Sequence, residues 1–108
     1  MINAIFVKKS DNIIGFEISG HSGYSDRGTD IYCASVSALV INTINSIEEF
    51  TEDDFESFAD EEDGIMGLNL KGNPSESSRL LLNSLELGLK SIAESCDEKY
   101  LKIEYKEV

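Results

Sequence analysis

Apolar and polar residues alternate from Ile2 to Lys9, with Ile2, Ala4 and Phe6 on one side and Asn3, Ile5 and Val7 on the other. A period of two is that of a strand, whose successive side chains point to opposite faces. Ser10-Asp11-Asn12 is turn chemistry, and Ile13 to Ser19 follows as a second strand with Ile14, Phe16 and Ile18 on one side, giving a hairpin. The period then lengthens. Val36, Val40, Ile44 and Ile47 recur at helical spacing and predict a helix from Asp30 to about Glu49, with Asp30 as its N-cap. Phe55 to Asp60 reads as an exposed strand, Glu61-Glu62-Asp63-Gly64 as a hairpin turn, and Ile65 to Lys71 as the returning strand with Met66, Leu68 and Leu70 on one face.

Asn73-Pro74-Ser75-Glu76 has the form of a helix start: Asn73 as cap, Pro74 at the first position, and Glu76 three residues after the cap. Leu82, Leu85, Leu89, Ile92 and Cys96 follow at spacings of 3, 4, 3 and 4, a stripe that packs on a core, and Gly88 allows a close approach by a neighbour. Tyr100 to Tyr105 closes the chain as a last strand. The order β-β-α-β-β-α-β predicts an α+β fold in which two helices cover one face of a mixed β-sheet, because that buries both apolar stripes. The expected organisation is a single domain over residues 1–108. From Ile31 to Ile47 no residue is charged, so the first helix is expected to be covered on most sides, by the sheet and by a second subunit.

Charge narrows the function. The formal net charge is −12, and no Lys or Arg occurs between Arg27 and Lys71. Direct binding to DNA or RNA needs cations that displace counterions from phosphates, and with 9 Lys and Arg against 21 Asp and Glu it is not expected here. Residues 48–63 hold ten of the 21 acidic residues, which reads either as a solvated edge or as a docking surface for a basic substrate. No run of 18 apolar residues suggests a membrane span, and the first residues lack the basic start and apolar block of a signal peptide, so a cytoplasmic address is expected. One histidine and two cysteines cannot make a four-ligand Cys/His zinc site, and no metal or cofactor is expected. Two free thiols are expected rather than a disulfide.

Gly20-His21-Ser22-Gly23-Tyr24-Ser25-Asp26-Arg27-Gly28-Thr29 is a glycine-rich loop leading into the first helix. It matches neither Gly-x-x-x-x-Gly-Lys-Ser/Thr nor Gly-x-Gly-x-x-Gly, so the phosphate-cradling reading is weak. His21 is the only histidine. Cys33 lies twelve residues later, in the first turn of the predicted helix, where about half a positive charge favours a thiolate. The free amides there could also hold an oxyanion, with His21 as base and later acid. The competing reading makes Cys33 a small buried apolar residue of the Val36–Val40 face and His21 a solvated loop residue. Asp30 reads as a cap, as a group that orients His21, or as both. Ser37, one turn after Cys33, either lies beside the thiol or bonds back to the Cys33 carbonyl. Ser22 and Ser25 lack the strained turn of a serine nucleophile, and Cys96 belongs to the leucine stripe.

Gly20-His21-Ser22-Gly23-Tyr24 followed by Gly28-Thr29-Asp30-Ile31-Tyr32-Cys33-Ala34-Ser35-Val36-Ser37 resembles the ribosomal-processing cysteine protease family, Prp. The family's hallmark is Gly-His, a short variable loop, then Gly-x-Asp-x-x-Cys-Ala followed by a Ser. The resemblance implies an endopeptidase that removes an N-terminal extension, with aromatic residues near the scissile bond, from the large-subunit ribosomal protein numbered twenty-seven. It implies His21 and Cys33 as the catalytic pair with Asp30 and Ser37 in support. Gly20, Ser22, Gly23, Gly28 and Ala34 are expected to form the loop and substrate side around them, while the resemblance itself carries no role for the variable stretch from Ser22 to Arg27. It further implies a homodimer. The alternative carried by the residues alone is a non-catalytic ribosome-assembly or peptide-binding module on the same scaffold.

Overall fold

A computed structural model of the chain describes residues 1–21, 23–25, 30–60, 62, 64–97 and 99–108. Strand β1 (Ile2–Lys9) turns through Ser10 and Asp11, both at positive φ (51° and 67°), into β2 (Asn12–Ser19). Two left-handed residues in a two-residue turn match the twist of the flanking strands. Helix α1 (Ile31–Phe50) follows, then β3 (Phe55–Asp60), β4 (Ile65–Leu70), helix α2 (Glu76–Ser95) and β5 (Leu101–Glu107). The five strands form one sheet in the order β3-β4-β2-β1-β5. Only the β1–β5 pair is parallel, so the sheet is mixed, and the element order is the one the alternation of periods predicts.

The helices pack on each other and on one face of the sheet, burying Ile2, Ala4, Phe6, Phe16, Ile18, Leu68 and Leu101 beneath Val36, Val40, Ile47, Leu82, Leu85 and Leu89. Gly88 of α2 lets Leu39 of α1 come so close that a Cβ there would lie 2.8 Å from Leu39 Cδ1. That is the close approach the glycine suggested, and the neighbour is the first helix.

Two details differ from the sequence reading. The core residue of β2's first turn is Ile13, not Ile14: Val7 pairs with Gly15 and Lys8 with Ile13, so Ile14 is the extra residue of a bulge that reverses the alternation. Helix α2 is capped by Ser75, not Asn73. The Ser75 hydroxyl accepts the Ser78 amide at 3.2 Å, and Asn73-Pro74 forms the approach. Helix α1 buries Val36, Val40, Thr43 and Ile47, and the side that this chain leaves open carries Ile31 (55% exposed), Ile41 (48%), Asn42 and Asn45.

Candidate active site

The sequence brings His21 and Cys33 to the same place by two independent devices. Gly20 ends β2 at φ +86°, where any Cβ would overlap the Met1 carbonyl, so the chain leaves the strand in a conformation open only to glycine and delivers His21 at once. The Gly20 amide donates to the Gly64 carbonyl at 3.1 Å, fastening this exit to the β3–β4 turn. Cys33 is placed by the start of α1. Asp30, 5% exposed and in extended backbone, caps the helix through Oδ1, which accepts the amides of Tyr32 (3.0 Å) and Cys33 (3.1 Å). Its Oδ2 accepts the amides of Tyr24 (3.1 Å) and Ser25 (3.3 Å). One carboxylate thus joins the loop to the helix, in the cap role expected of it.

Those bonds correct one expectation. The first-turn amides of Tyr32 and Cys33 are given to Asp30 Oδ1 and that of Ala34 to the Asp30 carbonyl, so these three are not free donors for an oxyanion. Among the described residues Ser37 makes no back-bond to the Cys33 carbonyl; the back-bond in this turn runs from Ser35 Oγ to the Ile31 carbonyl at 2.6 Å.

A cavity of about 910 Å³ opens between the end of β2, the loop, the start of α1 and the β3–β4 hairpin. Gly20, His21, Gly23, Asp30, Cys33, Ala34 and Ser37 all line it. Cys33 is half-buried, so it is not sealed in the core. Ser22 and Gly28, named with these residues from the sequence, lie outside the described residues. The wall the sequence did not announce is apolar: Ile2, Ile18, Ile41, Ile65 and Met66, with Ala59, Asp60 and Gly64 from the hairpin. A volume of this size, mostly apolar with a few polar groups converging on it, suits an extended peptide better than a small ion. Among the described residues no group of three His, Cys, Asp or Glu side chains could hold a metal ion. No described helix is long and apolar enough to cross a membrane.

The far end of the loop is held by tyrosines. Tyr24 meets Tyr32 edge-on at 4.8 Å, and Tyr32 stacks on Tyr100 at 5.3 Å. Partial burial, then the neighbouring Cys96, Tyr24, Tyr100 and Asp30, push the Tyr32 hydroxyl above its ordinary range, so it remains a neutral packing group. Cys96, just beyond α2, packs against the core, and burial followed by Asp97 pushes its thiol up. Both cysteines are half-buried and packed against the core, but of the two only Cys33 lines the cavity.

A half-buried sulfur opening on a peptide-sized cavity beside the sheet suits a small α+β hydrolase that works through a thiol. The family model described as cysteine protease Prp matches residues 1–102. The chain belongs to that family and is a cysteine protease, which sets aside the non-catalytic module. It is 24% identical over 102 residues to the ribosomal processing cysteine protease Prp of Staphylococcus aureus, covering 94% of this chain and 95% of that one. It is 35% identical over 48 residues to the protein of the same name from Bacillus subtilis, an alignment spanning 44% of this chain and 43% of that one. A crystal structure of S. aureus Prp with a covalently linked product peptide superposes with a TM-score of 0.91 at 21% identity, over 98% of this chain and all of the other, and shares the fold.

Proposed function

We propose that Cys33 is the nucleophile and His21 the general base and acid of this protease. The supporting observation is that the two side chains, twelve residues apart in sequence and on different elements, line one peptide-sized cavity. His21 takes the Cys33 proton, and the sulfur attacks the scissile carbonyl carbon to give a tetrahedral oxyanion. The C–N bond then breaks as the imidazolium protonates the leaving amine, leaving a thioester on Cys33. His21 next deprotonates a water that attacks the thioester, and the thiol leaves with the proton. Asp30 acts as a positioning residue: by holding the Cys33 amide with one oxygen and the loop amides with the other, it fixes the sulfur relative to the loop that carries His21. Ser37, one helical turn on, supports the same corner of the cavity.

The substrate we infer is the N-terminal extension of the large-subunit ribosomal protein numbered twenty-seven. The relatives' ribosomal processing role supports this reading. The S. aureus relative has been crystallised with substrate and product peptides, which suits a cavity of this shape. The −12 charge suits a basic substrate, and the apolar wall suits aromatic side chains beside the scissile bond. Residues 1–108 would act as one protease domain in the cytoplasm, where ribosomal proteins are made. Pairing of two chains through the uncharged, exposed face of α1 would cover Ile31 and Ile41.

The test is cleavage of a peptide spanning the extension junction. Cys33→Ser leaves the fold and thermal midpoint unchanged and removes cleavage, a loss of about 10³-fold or more, since the hydroxyl is far less nucleophilic than a thiolate. Cleavage by this variant at the wild-type rate would end the assignment.

A further inference from the structure

Resting on the reading of His21 as the base, we propose that Gly64, in the β3–β4 turn, is a positioning residue for the His21 imidazole. Two contacts converge there. The Gly20 amide, immediately before His21, donates to the Gly64 carbonyl at 3.1 Å, so the backbone carrying the imidazole is tied to this turn. The ring itself lies against the same residue: a Cβ on Gly64 would sit 3.1 Å from His21 Nε2, 3.2 Å from Cε1 and 3.3 Å from the Gly20 carbonyl. Each of these distances is tighter than an ordinary carbon contact, so a side chain at 64 would push the ring off by a few tenths of an ångström. The turn is therefore a wall for the imidazole that works only when that wall has no side chain.

A misplaced base matters because proton transfer and attack need near-contact geometry, and a 1 Å error can cost about 10²-fold. The molecule also supplies its own control. Gly72, in the connection between β4 and α2, has nearly the same backbone demand, φ +76° against +64° at Gly64, yet has nothing within 4 Å of its Cβ position. Two glycines share the left-handed conformation, and only one has an imidazole against it. The loss at Gly64 thus separates into backbone strain, which both share, and ring displacement, which is its own.

The test compares Gly64→Ala, Gly64→Asn and Gly72→Ala with wild type and His21→Ala, using an extension-junction peptide. Asn adopts positive φ with little strain, so Gly64→Asn keeps the crowding while sparing the fold. Both Gly64 variants are expected to lower kcat about tenfold with KM within about threefold, because the base moves while the apolar wall of Ile2, Ile18, Ile41 and Met66 stays in place. His21 is the only histidine, so one imidazole Cε1 resonance reports its surroundings directly. That resonance shifts in both Gly64 variants and stays in place in Gly72→Ala, whose kcat remains within about twofold of wild type. If His21→Ala is inactive but the Gly64 variants match Gly72→Ala in kcat and in the resonance, the positioning role is wrong and the base assignment stands. Wild-type cleavage by His21→Ala would instead remove the base assignment, and this inference with it.

Discussion

The two helices of this protein begin in chemically similar ways and serve different ends. Both run for 20 residues, and at each start a carboxylate satisfies amides or hydroxyls that the helix cannot satisfy internally. At α2 the carboxylate comes from Asp53, whose Oδ2 accepts the Ser75 amide (3.0 Å), the Ser75 hydroxyl (2.7 Å) and the buried Ser78 hydroxyl. Every partner belongs to that helix start, and the result is a lock between the strand connection and α2. At α1 the carboxylate is the cap itself, and its partners split between the helix and the loop beside the cavity. The same type of bond closes a fold in one place and sets a thiol in another. What separates them is where the second oxygen goes: at Asp53 it is not needed to hold another segment, whereas at Asp30 it holds the loop.

Removing the two carboxylates should break this comparison in opposite directions. Asp30→Ala releases four amides and lets Cys33 drift from the loop, so kcat/KM on the junction peptide should fall about 100-fold, with a stability loss of about 2 kcal/mol from the missing cap. Asp53→Ala should leave kcat/KM within about twofold while lowering stability by about 1–2 kcal/mol, since hydrogen bonds to a charged acceptor are lost at a partly exposed site. Parallel unfolding and kinetic measurements on both variants check the contrast. Equal effects on activity would mean that Asp30 is only a cap.

Acid should sharpen it further. The Ser78 and Ser75 hydroxyls and the Ser75 amide hold the Asp53 carboxyl below its ordinary value of 3.8. A carboxyl lowered in the folded state stabilises fully above the unfolded value, and that contribution is lost as pH falls through the lowered folded value. The stability gap between wild type and Asp53→Ala should therefore be constant from neutrality to about pH 5 and narrow below the ordinary carboxylate range, as read from urea midpoints at several pH values. A gap that widened in acid would contradict the bonding scheme.

A thiol comparison and a salt titration follow in size. Burial pushes the Cys96 thiol up, whereas Cys33 opens on the cavity. Iodoacetamide at neutral pH should therefore label Cys33 at least about tenfold faster than Cys96, because the thiolate is the reactive form and must be reached. Peptide mapping after short exposure reads the ratio. Raising the salt should lower kcat/KM for a basic substrate by only a few-fold, as exposed charges are screened over about 8–10 Å near physiological ionic strength. Salt-independent cleavage would assign the acidic residues 48–63 to solvation alone.

The fold was legible because its periods are clear. Val36, Val40 and Ile47 recur at helical spacing and are all buried, and Leu82, Leu85 and Leu89 do the same in α2. What stayed hidden depended on contacts between distant segments. The bulge that inverts Ile13 and Ile14 exists only once β1 and β2 pair. The cap at Ser75 rather than Asn73 depends on Asp53, 22 residues earlier, reaching the same spot. In the site, Cys33 and His21 stood out as reactive types beside glycines and a cap. The cavity's apolar wall and Gly64 did not, because the β2–β4 pairing that brings the turn to His21 leaves no local mark. Gly64 follows Glu-Glu-Asp and reads only as a turn glycine.

The most direct measurement is to mix the protease with an excess of junction peptide, quench in acid within the first turnover, and map the mass of the trapped adduct. A thioester of the N-terminal fragment on Cys33, absent when His21 is alanine, is the result expected. Substrate turnover with unmodified Cys33 at every quench time, or an acyl group found on any other residue, would contradict the account.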